Sequence, residues 1–190
     1  EIVQMQRELA TMAGVEKSWT PPEPDTALAA EVAKYEGQLL ACLDGIREVA
    51  ADAHICIWDA HGSGSIDFEQ VPSGCELLNA VSVPLPELFG EGWDALFFVG
   101  QHSKAGTARG VLAHTYSSST IERFAINGLE MGEFGCRAAL AGSYDIPTAF
   151  ISGDEAAVAE AQRNAKEIHE REMGAVMGGM GGAGGIPGLG

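Results

Sequence analysis

Short apolar runs separated by stretches of helical period most limit the folds open to this chain. "HICIW" (54–58), "ALFFVG" (95–100), "GVLAHTYS" (110–117) and "PTAFIS" (147–152) are four to eight residues long and rich in β-branched and aromatic residues. Each reads as a buried strand. Between Leu28 and Val49 the apolar positions Leu28, Val32, Tyr35, Leu39, Leu43, Ile46 and Val49 recur at steps of three and four, the period of an amphipathic helix reaching about Ala51. Residues 132–144 and 154–173 read as further helices, the second started by a Ser152/Glu155 capping box and carrying Val158, Ala161, Ala165 and Ile168 on one face. Asn127-Gly128 between apolar residues is the strongest short hairpin signal. Strands alternating with helices predict an α/β fold, a three-layer domain with a mostly parallel sheet and one antiparallel hairpin.

Three regions follow from this pattern. Residues 1–24 form an N-terminal segment broken by three prolines in "WTPPEPD", and residues 25–173 form the α/β domain. Residues 174–190 contain nine glycines among seventeen residues and are expected to be disordered, because they bury too little to offset their ordering entropy.

Charge and cysteine usage narrow the partners. With 11 Lys+Arg against 27 Asp+Glu the formal charge is −16, which repels phosphate backbones and anionic lipid. No nucleic-acid or membrane partner is expected. Cys42, Cys56, Cys75 and Cys136 lack metal-site or disulfide spacing, and Cys42 and Cys56 read as small apolar residues on a helix and in a strand. No basic start with an apolar run marks a signal peptide, so the expected compartment is the cytoplasm.

Ligands of open α/β sheets bind beyond the carboxyl ends of the strands. The run at 54–58 empties into Asp59-Ala60-His61, and the run at 95–99 into Gly100-Gln101-His102. Two imidazoles at equivalent strand ends are candidate metal ligands, and hydrogen-bonded loop histidines are the plainer alternative. Glu133, flanked by Gly132 and Gly135, adds a carboxylate that could equally serve only the helix N-terminus. His114 is either a core histidine or an acid/base or nucleophilic group facing the same rim. Lys104 and Arg109 are solvated loop charges or hold a substrate carboxylate. Asp59 is a turn residue or orients His61. His54 and His169 read as structural.

"IWDAHGSGS", "ALFFVGQHSKAGTARGVLAHTYS" and "FAINGLEMGEFGCRAALAGSYDIPTAFISGDEAA" resemble the DppA-type zinc D-aminopeptidases over roughly residues 35 to 160. The resemblance implies His61, His102 and Glu133 as zinc ligands and His114 as the catalytic residue. It implies two zinc ions in a complete site, a short peptide substrate with an N-terminal D-residue, and a ring-like homo-oligomer. The family's Asp-x-Glu-Gly motif, which supplies two further carboxylates, does not occur here, and the chain begins at Glu1. The expectations are therefore an active metal-dependent aminopeptidase whose upstream residues supply those carboxylates, or an incomplete-site relative that binds metal or forms oligomers without catalysis.

Overall fold

The computed structural model describes residues 26–60, 66–79 and 84–180. The N-terminal segment expected over 1–24 lies outside them. Helix α1 (Thr26–Val49) leads into strand β1 (Ile55–Asp59), which pairs in parallel with β2 (Cys75–Asn79) from Ile55 opposite Cys75 to Asp59 opposite Asn79. A short helix α2 (Leu85–Phe89) precedes β3 (Leu96–Gln101). The hairpin β4 (Ala125–Ile126) and β5 (Leu129–Glu130) runs into helix α3 (Glu133–Gly142). Strand β6 (Thr148–Gly153) returns to pair in parallel with β3, and helix α4 (Glu155–Met180) follows. The described strands thus make two parallel pairs and one antiparallel pair, the α/β composition that the sequence pattern predicts.

Packing explains the placement of these elements. Leu39, Leu43 and Ile46 of the α1 stripe meet Ile55 and Ile57, whose alternation in β1 turns them to the same side. Leu43 is 3 % exposed, and burying a Leu stabilises by about 1.5–3 kcal/mol. Leu28, Val32 and Tyr35 lie outside the side chains described. Arg47 closes the α1–β1 turn by donating to the Ala51 and Gly74 carbonyls at 2.9 and 3.2 Å. A second cluster joins Phe89, Ala141 and Ile146, and a third joins Leu129, Met131 and Cys136. Among the described residues no helix is long and apolar enough to cross a membrane.

The hairpin forms at Asn127-Gly128 as the dipeptide predicts. Both residues have positive φ, 51° and 78°, which a type I′ turn requires. Arg171 of α4 donates to the Asn127 carbonyl at 2.9 Å and holds the tip in place.

Several local expectations need correction. Residues 110–117 are not a strand. Arg109, Leu112 and Tyr116 have φ of 61°, 52° and 56°, which no extended strand accommodates. The apolar side chains of this run also face outward, Val111 being 56 % and Leu112 79 % exposed. Strand β2 and helix α2 were not expected. Prolines 84 and 86 obscured α2, although Pro suits a first helical turn. The cap of α4 is Asp154, whose Oδ1 accepts from Ala157 N at 2.7 Å, while Ser152 Oγ accepts from Gly100 N at 3.2 Å. Ala161 of the expected stripe is buried, but its buried neighbours on α4 are Ala157, Glu160 and Asn164, while Ala165 is exposed and Ile168 is 41 % exposed. Helix α4 also continues through Gly174 to Met180, into the segment expected to be disordered. Residues 181–190 lie outside the described part.

Candidate metal centre

The site is assembled by three consecutive pieces of chain. His102 follows the last residue of β3. Gly100, at φ 72°, turns the strand end, and a break in the β3–β6 register accompanies it. His114 sits in the irregular loop that replaces the expected strand. Glu133 is the first residue of α3, where the helix dipole favours a carboxylate. One ligand atom from each of these three residues can be chosen so that all lie within 4.8 Å of one another.

Both imidazoles are fixed by carbonyls. His102 Nδ1 is 3.0 Å from the Ser103 carbonyl oxygen and His114 Nδ1 is 2.6 Å from that of Leu112. A carbonyl can only accept, so each Nδ1 carries a proton, and in the neutral imidazole Nε2 is then the lone-pair nitrogen. The rings stack with centroids 4.0 Å apart and planes 16° from parallel. Glu133 Oε1 stands 3.6 Å from His102 Nε2 and 3.5 Å from His114 Nε2. It also accepts from Tyr116 N at 2.7 Å. The His102, His114 and Glu133 side chains are 11, 17 and 18 % exposed.

His102 Nε2 and Glu133 Oε1 are donors that fit a zinc ion, with His114 Nε2 close beside them. The Nε2–Oε1 separations exceed normal hydrogen bonds. They approach the roughly 3.3 Å edge of a tetrahedron with bonds of about 2.0–2.1 Å. Two imidazole lone pairs and a carboxylate oxygen turned toward one another repel unless a proton or a metal cation lies between them. Carbonyl partners on both Nδ1–H groups are the usual support for metal-bound histidines.

The loop carrying His114 is pinned at many points. Thr115, 1 % exposed, accepts from Ala105 N through Oγ1 at 3.1 Å. Asp154 Oδ2 accepts from Val111 N at 2.6 Å. Three non-glycine residues in left-handed conformation persist here because these bonds over-determine the backbone. Gly110 is required for contact, since a Cβ there would lie 2.2 Å from Ser103 Oγ.

The remaining candidates separate clearly. His61 lies outside the described residues. Asp59 is 5 % exposed at the carboxyl end of β1. Lys104 Nζ pairs with Glu130 Oε2 at 3.2 Å, and Arg123 pairs with the same carboxylate. The Lys104 hydrogen bond, then Arg123, holds Glu130 below the usual carboxylate range. Arg109 is exposed at the loop surface. His54 stacks on Trp93 and meets Glu76 at 3.2 Å, away from the cluster. His169 is exposed on α4.

One residue near the site escaped the sequence reading. Arg137, one helical turn beyond Glu133, lies over the rings of Trp58 and Tyr116 at 5.2 and 5.4 Å. Its partners come from β1 and the His114 loop, so nothing local in the sequence signals the arrangement. Partial desolvation pushes the Tyr116 hydroxyl up to about 12 although the residue is 43 % exposed, with Arg137 opposing the shift.

Comparison with known proteins identifies the family. A family model described as D-aminopeptidase matches residues 12–181. A D-aminopeptidase of Bacillus subtilis (strain 168) is 31% identical over 127 residues, covering 58% of this chain and 46% of that protein. A solved structure, the Zn-dependent D-aminopeptidase DppA from Bacillus subtilis, a self-compartmentalizing protease, superposes with a TM-score of 0.58 at 25% identity. That match covers 70% of this chain and 46% of the solved one. The chain therefore spans less than half the length of these relatives. With most of its length matched by the family model, the chain belongs to the D-aminopeptidase family.

Proposed function

We propose that this chain provides the metal site of a zinc-dependent aminopeptidase that releases N-terminal D-residues from short peptides. The observation that carries the reading is the convergence of His102, His114 and Glu133, with both Nδ1 atoms tied to carbonyls. His102 and Glu133 hold the metal, joined by His61 from the end of β1. Further carboxylates complete a site for two ions. Zinc, when bound, supplies Lewis-acid polarisation of the scissile carbonyl and makes water a stronger acid.

His114 acts on the substrate. Its Nε2 lone pair faces the cluster, and the Leu112 carbonyl accepts from Nδ1–H and sets the tautomer. A neutral imidazole so oriented can take a proton or attack the carbonyl carbon. Lys104 is engaged by Glu130 and Arg109 lies on the surface, so neither gains support as a substrate anchor. The self-compartmentalizing relative supports a ring-like homo-oligomer for this chain as well, and sedimentation tests it.

Ligand and catalytic roles predict different failures. His102→Ala is expected to lower zinc content and turnover of a D-alanyl dipeptide together. His114→Ala is expected to keep zinc while turnover falls at least ~100-fold, the scale of a lost acid/base group. Equal zinc loss in both variants would make His114 a ligand instead. A wild-type chain with neither zinc nor turnover after zinc addition would end the enzymatic reading.

A further inference from the structure

A buried carboxylate on α4 reaches all three members of the cluster through backbone groups. Glu160 is 3 % exposed. Its Oε2 accepts from Lys104 N at 2.7 Å, and its Oε1 accepts from Gly132 N at 2.7 Å. Lys104 N belongs to the peptide unit whose other end is the Ser103 carbonyl. That carbonyl accepts from His102 Nδ1–H at 3.0 Å and from the His114 backbone N–H at 3.2 Å. A peptide unit is planar, so fixing the direction of its N–H fixes the direction of its carbonyl. The second Glu160 oxygen fixes Gly132, the N-cap residue of α3, which precedes Glu133.

We propose that Glu160 is a positioning residue of the metal site, orienting His102 and His114 through the Ser103–Lys104 peptide and Glu133 through Gly132. The proposal rests on the metal-site reading above for its functional consequence, while the clamp itself does not. The arrangement is a carboxylate–histidine pair with one peptide unit interposed. Charge on Glu160 draws the Lys104 N–H and polarises the Ser103 carbonyl, which strengthens its hold on His102 Nδ1–H. The held proton keeps the His102 Nε2 lone pair toward Glu133.

Gly132 shows how tightly this junction is built. A Cβ there would lie 2.9 Å from Glu160 Oε1 and 2.9 Å from Lys104 Cβ. The Gly132 φ of −89° is open to any residue, so contact alone excludes a side chain. The start of α3 and the His102 loop therefore meet on the two oxygens of one carboxylate.

Glu160→Gln tests the clamp with little change of shape, because an amide places N–H groups where one acceptor stood. Gly132→Ala presses on the same junction from the opposite side. Hydrogen exchange on metal-free protein is expected to quicken at least ~10-fold at the Lys104 and Gly132 amides in Glu160→Gln, with α1 amides unchanged. Zinc affinity is expected to fall about 10–100-fold, the effect of losing an outer partner of a ligand. The visible absorption of the cobalt-substituted protein should shift, and kcat for a D-alanyl dipeptide should fall with KM within about twofold. A stabilising contact with no positioning role would lower the melting temperature and leave the cobalt spectrum and kcat of the folded protein alone, which would overturn the proposal. Wild-type exchange rates at both amides in Glu160→Gln would also overturn it. A wild-type chain that takes no metal removes the metal-site reading, and the exchange comparison then judges the clamp by itself. If Glu160→Gln does not fold, Gly132→Ala decides: unchanged zinc affinity and cobalt spectrum reject the proposal, and shifts in both support it.

Discussion

Replacing Asp154 by Ala removes two bonds made by one carboxylate. Oδ1 caps α4 at Ala157 N, 2.7 Å away, and Oδ2 accepts from Val111 N at 2.6 Å. An N-cap lost to Ala costs about 1 kcal/mol. A hydrogen bond to a charged acceptor contributes roughly 1.5–3 kcal/mol. The Val111 bond is solvent-exposed, so the lower end of that range applies. Together they give about 2–3 kcal/mol, or a fall in Tm of about 5–10 °C for a chain of this size. Asp154→Asn keeps an acceptor for the cap and lacks the charge, and about 1 kcal/mol of loss is expected. Urea unfolding followed by circular dichroism measures both variants. A loss under about 0.5 kcal/mol in Asp154→Ala, or equal losses in the two variants, would refute this division of roles.

Two further outcomes follow from the same loop. Leu112 holds φ at 52° and is 79 % exposed, so Leu112→Gly removes a left-handed penalty without removing packing. Relief of about 1–2 kcal/mol is offset by about 0.4–1 kcal/mol of unfolded-state entropy. Chemical denaturation should find the variant neutral to slightly stabilised, and a loss above about 1 kcal/mol would contradict the conformational account. Tyr116 has its hydroxyl raised to about 12, chiefly by burial. Its neutral form is thus favoured in the folded state, a contribution present below pH ~10 and lost as pH climbs toward ~12. Ultraviolet titration should show a late tyrosinate step that Tyr116→Phe abolishes. A wild-type profile with every tyrosine ionising near pH ~10 would refute the burial argument.

The readable part of this molecule was the part governed by local rules. Asn127-Gly128 specified its turn because both positions need positive φ. His102 and Glu133 were legible because a strand end and a helix start fix where a side chain emerges. His114 does lie beside His102 and Glu133, but on an irregular loop and not on the expected strand. "GVLAHTYS" has strand composition, yet Leu112 and Tyr116 take left-handed φ without the glycines that announce it. The bonds that hold them come from Asp154 and Glu133, residues distant in sequence. Glu160 hid for a related reason. In "EAAVAEAQRNAKE" it resembles one more solvated helix charge, and only the turn of α4 toward the cluster makes it buried. The true inward stripe, Ala157, Glu160, Ala161 and Asn164, keeps helical spacing but mixes polar with small residues. Apolar periodicity therefore marked only Ala161 of this face.

The position of α4 sets an order of events during synthesis. His102, His114 and Glu133 leave the ribosome before Glu160 does, because chain order is also the order of emergence. A nascent chain ending in β6 thus carries these three side chains and lacks the carboxylate proposed to set their directions. Metal met at that stage finds loose ligands, and metal met after α4 docks finds a framed site. On the proposed metal-site reading, binding to the finished site is also folding energy, so the docking of α4 determines when an ion begins to stabilise the chain.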